Sequence, residues 1–308
     1  MRVTEVALRL RRTSPVTVAA VIPTIGRVTL GRAVESVLGQ SFPVCEVVIA
    51  NDSANQHTVL GSVGTADVPL IEVFTGGSRG VGDARNCGVA AASGSHIAYL
   101  DDDDIWLPHH IMTAVKALTG PVALDVYSCS AIRCRSDAAV MVPKVRYKGR
   151  GTLIDFLYGR FSFAGRHRSL PCTTWVFRRE LAVQHTMDSS LRMHEDIWWL
   201  LQLAHLRYRI WQADQPGTLY FENAARTIGR ASLEVELDWA ARLEGLKRGA
   251  GTRYLVNIAG RRHARRGEQR AWHELMFVVE RDWTSSLETA IIRKVERLVL
   301  EVAATVNK

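Results

Sequence analysis

The sequence predicts an α/β fold: a Rossmann-like, mostly parallel sheet sandwiched by helices, followed by a helical C-terminal extension. Three observations predict it. Short β-branched apolar runs alternate with helix-spaced segments over residues 16–100. Gly-, Pro- or Asp-bearing turns close most of those strands. Beyond about residue 225 only helical periodicity remains. The expected organisation is an N-terminal arm (1–15), one α/β domain (16–225) and the extension (226–308).

The elements follow in order. Residues 16–22, Val-Thr-Val-Ala-Ala-Val-Ile, form a buried strand closed by Pro23-Thr24, with Gly26 beyond. Leu30, Val34, Val37 and Leu38 recur at helical spacing and stop at Gly39, a C-cap. A second strand over 45–50 ends at Asn51-Asp52-Ser53. A strand at 70–74 leads into the Gly-rich stretch 76–82, a helix spans 83–92, and the strand 96–100 runs into four aspartates. Strands at 122–129 and 172–177 and a helix at 195–206 complete the domain.

In the extension, helices are expected at 232–247, 268–280 and 285–306. The last carries Leu287, Ile291, Val295, Leu298, Val302 and Val306 on one face, behind a Ser285/Glu288 capping box. That stripe reads as packing on the domain or on a second subunit, which makes a homodimer through the C-terminal helices an open option. The cluster Arg261, Arg262, His263, Arg265 and Arg266 reads as a solvated helix face, with a patch for anionic lipid or a phosphorylated acceptor as the alternative.

Composition narrows the function classes. The 308 residues, 47% hydrophobic and 23% charged, are those of an ordinary globular protein with a real core. A net charge of +8 suits an anionic partner: a nucleotide, a phosphate-bearing acceptor, a membrane surface or nucleic acid. Nucleic acid is disfavoured, because no basic stripe carries interleaved aromatics. The five cysteines (Cys45, Cys87, Cys129, Cys134, Cys172) are odd in number and form no C-x-x-C pair, which argues against a disulfide framework or zinc site. Met1–Ser14 lacks the apolar run of a signal peptide, and no run reaches the roughly 18 to 20 residues that span a bilayer. The expectation is a cytoplasmic protein, with peripheral contact at the inner face of the membrane left open.

The strongest chemical signal is Asp101-Asp102-Asp103-Asp104 directly after a buried strand. Adjacent carboxylates repel, and a divalent cation relieves that cost. In open α/β sheets the ligand crevice lies at the carboxyl ends of the strands, where this cluster sits. Asp52 also ends a strand and could accept from a base or a ribose, or serve as an Asx-turn residue. The run Gly80 to Asn86 could bring backbone amides and Arg85 to a phosphate, although it is neither a dinucleotide fingerprint nor a P-loop. His194-Glu195-Asp196 opens an amphipathic helix; its acids suit the helix dipole, and one of them could serve as a general base.

Together these segments resemble family 2 of the glycosyltransferases, which have the GT-A fold. Val21 to Thr24, Ser36 to Ser41 and Val47 to Ser53 follow the family's first block. Gly82 to Gly88, Ala91 to Gly94 and Tyr99 to Pro108 match its second; Thr174 to Glu180 and Glu195-Asp196 match its third. The resemblance implies an inverting transfer of a sugar from a nucleotide-diphosphate sugar, UDP-sugar favoured, to an acceptor hydroxyl. It implies Mn2+ or Mg2+ held by Asp103, nucleotide contacts from Pro23, Thr24, Asp52, Arg85 and Asp102, and Asp196 as the base. The acceptor would be a cell-surface glycan, a glycolipid or a small natural product, glycosylated in single transfers. The alternatives are a nucleotide-sugar-binding non-catalytic subunit or a nucleotidyltransferase.

Two positions depart from the family pattern. Ile25-Gly26 stand where Tyr-Asn is common, which removes a stacking ring, and Asp83 introduces an acid near the expected phosphates. Trp175, Trp198 and Trp199 read as core more than as a sugar platform. Phe161 to Arg168 is expected to be a loop that closes over the donor.

Overall fold

Seven consecutive buried residues, Val18–Thr24, form β1. Both of its edges are paired and both faces covered, so its sequence is apolar at nearly every position instead of alternating. The computed structural model describes residues 15–62, 67–122, 124–159, 168–191, 193–222, 232–265 and 267–282. The N-terminal arm up to 14, most of the loop expected at 161–168, Arg266, and the helix 285–306 with its cap and dimer stripe lie outside the described residues.

In the first of two compact units, α1 (Leu30–Leu38) follows β1, buries Leu30, Ala33, Val34 and Val37, and stops at Gly39. Next, β2 (Glu46–Asn51) lies parallel to β1 and β3 (Leu70–Phe74) parallel to β2. Helix α2 (Val81–Ala91) leads to β4 (His96–Tyr99), parallel to β1 on its other edge. Two glycines permit the close approach to β1. A Cβ on Gly88 would stand 2.4 Å from Val21 Cγ1, and one on Gly94 2.7 Å from the Ala19 amide nitrogen. The Glu46 carboxylate ties down the turn after α2, accepting from the Ser93 and Gly94 amides at 2.6 and 2.9 Å.

The chain continues through β5 (Ile105–Trp106), α3 (His110–Leu118), β6 (Val126–Cys134) and β7 (Ala139–Val142). Helix α4 (Leu153–Tyr158) belongs to the second unit. Then come a 3-10 turn at Cys172–Thr174, β8 (Val176–Arg178), α5 (Arg179–Gln184), α6 (Glu195–His205) and β9 (Ile210–Phe221). The sheet order is β3-β2-β1-β4-β8-β6-β9-β5, with β7 on β6. It is parallel from β3 to β4; β8 then runs antiparallel to both β4 and β6, and β6 and β9 are parallel.

The expected strand at 122–129 begins only at Val126, and that at 172–177 begins as the 3-10 turn. Strand β9 is not among the expected strands, and Asp214, Pro216 and Gly217 are residues that weaken a strand pattern. Pairing on both sides overrides that signal, and a register shift between Cys129 and Ala131 accommodates the proline.

The second unit comprises Gly149–Ser169, Arg192–His194 and Glu222–Lys308, so two short pieces of the 16–225 stretch group with the C-terminal helices. Its helices are α4, α7 (Leu233–Leu246, capped by Ser232), α8 (Ala250–Tyr254), a π-turn at Leu255–Ala259, α9 (Gly260–Arg265) and α10 (Gln269–Asp282). Trp239, Leu243, Tyr254, Leu255, Trp272 and Leu275 are buried there. Glu236 is 0% exposed and takes Arg262 Nη1 at 2.6 Å and the Tyr254 hydroxyl. His263 is also buried and meets Glu268. Two of the five basic-cluster residues therefore point inward and not to solvent as expected, because Glu236 and Glu268 supply the acids that the sequence pattern could not place beside them. Among the described residues no helix is long and apolar enough to cross a membrane.

Candidate functional site

Parallel pairing sets Thr24 opposite Asn51 and brings the carboxyl ends of β1, β2 and β4 to one edge of the sheet. Asp52 follows β2 there. Its carboxylate accepts from the Arg79 and Gly80 amides, both at 2.8 Å, and from the Thr75 hydroxyl. The Ser78 amide bonds its carbonyl at 2.9 Å. Positive φ at Gly77 and Gly80 turns these amides inward. Of the amides suggested for a phosphate, that of Gly80 is thus given to a carboxylate of the chain itself. Asp83 finds its role here too: it accepts from Arg79 Nε at 2.7 Å, one turn away.

The four aspartates divide. Asp102 is 1% exposed and accepts from Thr24 Oγ1 at 2.6 Å and from the Arg27 guanidinium. Burial pushes its carboxyl up, against the opposing pull of Thr24 and Arg27. Asp101, Asp103 and Asp104 instead gather, with carboxylate oxygens within 4.8 Å of one another. Asp104 also accepts from the Phe221 amide at 2.9 Å, which fastens the end of β9 to the cluster. Three hard oxygen donors on one turn suit Mn2+ or Mg2+. The donor set therefore fits the expected cation, with Asp103 joined by two neighbours that the sequence reading did not assign.

Arg85 projects from α2 and is 4% exposed. Its Nη2 donates to Asp101 at 2.8 Å and its Nη1 to Glu195 at 3.0 Å, while the guanidinium lies 5.6 Å over the Tyr99 ring. Burial would lower its pKa, but Cys172, Asp101, Glu195 and Asp196 hold it well above the ordinary value. Asp196, in the first turn of α6, accepts from the Ile197 amide at 2.7 Å. Burial and then the Glu195 carboxylate push it up to about 7, against the counter-pull of Arg85. An acid poised there is suited to exchange a proton near neutrality.

The structure thus brings Thr24, Asp52, Asp102, Asp103, Arg85 and Asp196 into one unit. Pro23 is a buried residue within β1, while Ile25 on the loop beyond is exposed. Trp175 and Trp199 stack on each other at 5.9 Å inside the core, as their sequence context suggests. Sequence reasoning missed Arg27, Thr75 and the partnership of Glu195 with Arg85. Arg27, a cation in the loop after β1, was the legible signal among them; the other two depend on contacts 23 and 110 residues apart.

Comparison with known proteins places these features in context. YibD of Escherichia coli K12, an uncharacterized glycosyltransferase, is 25% identical over 171 residues, 54% of this chain and 49% of that protein. WfaP of Escherichia coli, a UDP-Glc:alpha-D-GlcNAc-diphosphoundecaprenol beta-1,3-glucosyltransferase, is 32% identical over 102 residues, 32% of this chain and 40% of that protein. The chain thus spans half or less of the length of these relatives. Among solved structures, S. aureus TarS 1-349 with UDP-GlcNAc aligns with a TM-score of 0.59 at 16% identity, covering 85% of this chain and 80% of that one. The mannosyltransferase PcManGT of Pyrobaculum calidifontis, in complex with GDP-Man and Mn2+, aligns at 0.53 and 16% identity, covering 94% and 82%. Both show the same GT-A type of fold. The family model for Glycosyl transferase family 2 matches residues 19–185, more than half of the sequence. The chain belongs to glycosyl transferase family 2.

Proposed function

We propose that the protein is an inverting glycosyltransferase that moves a sugar from a nucleotide-diphosphate sugar, UDP-linked in the first instance, to an acceptor hydroxyl in single transfers. One observation carries the reading. The trio Asp101, Asp103 and Asp104 stands at the carboxyl end of β4 and is tied through Arg85 to the helix that bears a high-pKa Asp196. A carboxylate placed to act as a base serves transfer, and binding alone needs none.

Asp196 takes the proton of the acceptor hydroxyl as that oxygen attacks the anomeric carbon. The bond from that carbon to the diphosphate breaks, and its electron pair leaves with the nucleotide. Attack opposite the leaving group inverts the centre. Asp103, with Asp101 and Asp104, would hold Mn2+ or Mg2+, which supplies Lewis-acid stabilisation of negative charge on the diphosphate. Pro23 and Thr24 line the nucleotide side in this reading, Asp52 serves the base, Arg85 the base or phosphate, and Asp102 the ribose. The names of WfaP and the TarS complex favour a UDP-sugar, and WfaP favours a lipid-linked acceptor. PcManGT with GDP-Man and Mn2+ supports a divalent cation and keeps the base open.

The test is calorimetric titration of UDP, dTDP and GDP, each with and without Mn2+, into the wild type and Asp103→Ala. The expected result is Mn2+-dependent binding of one nucleotide, weakened at least tenfold (about 1.4 kcal/mol) in the variant. Absence of binding by all three would mean that the chain has no working donor site and would overturn the reading.

A further inference from the structure

We propose that Arg85 is a positioning residue: one guanidinium holds the carboxylate trio and the base-bearing helix at a fixed separation. The inference rests on the functional reading above, and it concerns a role distinct from ligand contact. The two terminal nitrogens of Arg85 are used on two different elements, Asp101 after β4 and Glu195 at the start of α6, 110 residues apart from Arg85 in the second case. Such a fork is rigid and planar, so it transmits position as well as charge.

The surroundings are built for it. Gly82 lies one helical turn before Arg85 on α2, and a Cβ there would come within 3.0 Å of Glu195 Cγ, so the helix surface is cut away where Glu195 enters. Asn86, the next residue, exchanges hydrogen bonds of 2.9 Å with both the amide and the carbonyl of Met187, which fixes the register of that segment on α2. Tyr99 floors the guanidinium at 5.6 Å. Glu195 itself is buried and directly precedes Asp196, so a displacement of the Glu195 side chain displaces the first turn of α6. A salt bridge formed only for stability would gain little here, because burying Arg85 and Glu195 costs about what their attraction returns. What the bridge does supply is geometry.

Three substitutions separate charge from reach. Glu195→Gln keeps length and an acceptor oxygen but loses charge; Glu195→Asp keeps charge but falls short of Arg85; Arg85→Lys keeps charge but loses the fork. Mn2+ affinity is measured with no nucleotide present, alongside kcat and donor KM. Glu195→Asp is expected to lower kcat about tenfold or more while donor KM stays within about twofold, and Arg85→Lys to lower kcat at least as far, since small misplacements of reacting groups act on the chemical step. Glu195→Asp is also expected to shift the Mn2+ dissociation constant by about threefold or more, although Glu195 is outside the trio, and Glu195→Gln should retain more kcat than Glu195→Asp. If Glu195→Asp matches the wild type in kcat and Mn2+ affinity, or if Glu195→Gln falls as far as Glu195→Asp, the bridge is not a positioning device. A loss confined to donor KM in Glu195→Asp also overturns it and leaves Arg85 to ligand contact alone. Because Glu195→Asp and Glu195→Gln leave Arg85 in place, a folding failure of Arg85→Lys does not block the test. A wild type that neither binds Mn2+ nor transfers sugar would sink the functional reading and this inference with it. An active wild type with an unperturbed Glu195→Asp sinks the inference alone.

Discussion

Arg85 and Arg262 are both drawn toward the interior by buried carboxylates, but the carboxylates they bond differ. Arg262 donates to Glu236, whose other oxygen is met by the Tyr254 hydroxyl. Arg85 answers Asp101 and Glu195 at once, and Asp196 adds a third carboxylate to its surroundings. A buried arginine–glutamate pair whose second oxygen takes a hydroxyl is an architectural device. Surplus acid is expensive to keep folded and persists where a cation or a proton is going to be handled. The difference teaches that burial of an arginine says little by itself, and that the count of carboxylates around it separates scaffold from chemistry.

The comparison can be broken most severely at Asp196. In Asp196→Asn, turnover should fall by about 10²–10⁴-fold, the usual worth of a general base, with nucleotide affinity kept within about twofold. Near-normal turnover would move the surplus-acid site out of catalysis. At the other arginine, Glu236→Gln should cost about 3–5 kcal/mol of unfolding free energy in urea denaturation, because it removes the buried charge set against Arg262. A loss under about 1 kcal/mol would mean that solvent screens the pair as it screens surface ones.

A smaller effect tests the frame that holds the site. Gly88→Ala forces a methyl against Val21 and should cost about 1–3 kcal/mol by the same measurement. The subtlest test is pH. With Asp196 pushed up to about 7, kcat/KM should rise with pH through about 7 as the base loses its proton. Stability should move the other way over the same range. The folded state holds that proton more tightly than the unfolded chain, so stability falls as pH rises from the ordinary carboxylate range to about 7. Glu195→Gln removes the neighbouring negative charge and should draw both transitions to lower pH.

Much of the parallel half of the sheet was legible in the sequence. The Leu70–Phe74 strand and the Leu30–Leu38 helix with its Gly39 cap fall where apolar periodicity and capping residues put them. Strand β9 was not legible, since a segment holding Asp214, Pro216 and Gly217 becomes a strand only when β6 and β5 bracket it. The aspartate run was legible as a cluster after a strand, but not its division into a buried Asp102 turned to Thr24 and Arg27 and a trio turned elsewhere.

What the sequence determined by itself is local: strands and helices from the spacing of apolar residues, turns from glycine and proline, and the presence of acids at strand ends. Family blocks in the right order added the expected chemistry. What only tertiary structure decided is pairing over distance: Asp52 with the Gly-rich amides, Arg85 with Glu195, Glu236 with Arg262. The physical reason is that periodicity is a property of neighbours along the chain. The environment that sets a carboxyl's proton affinity or a guanidinium's partners is instead assembled by residues that only folding brings together.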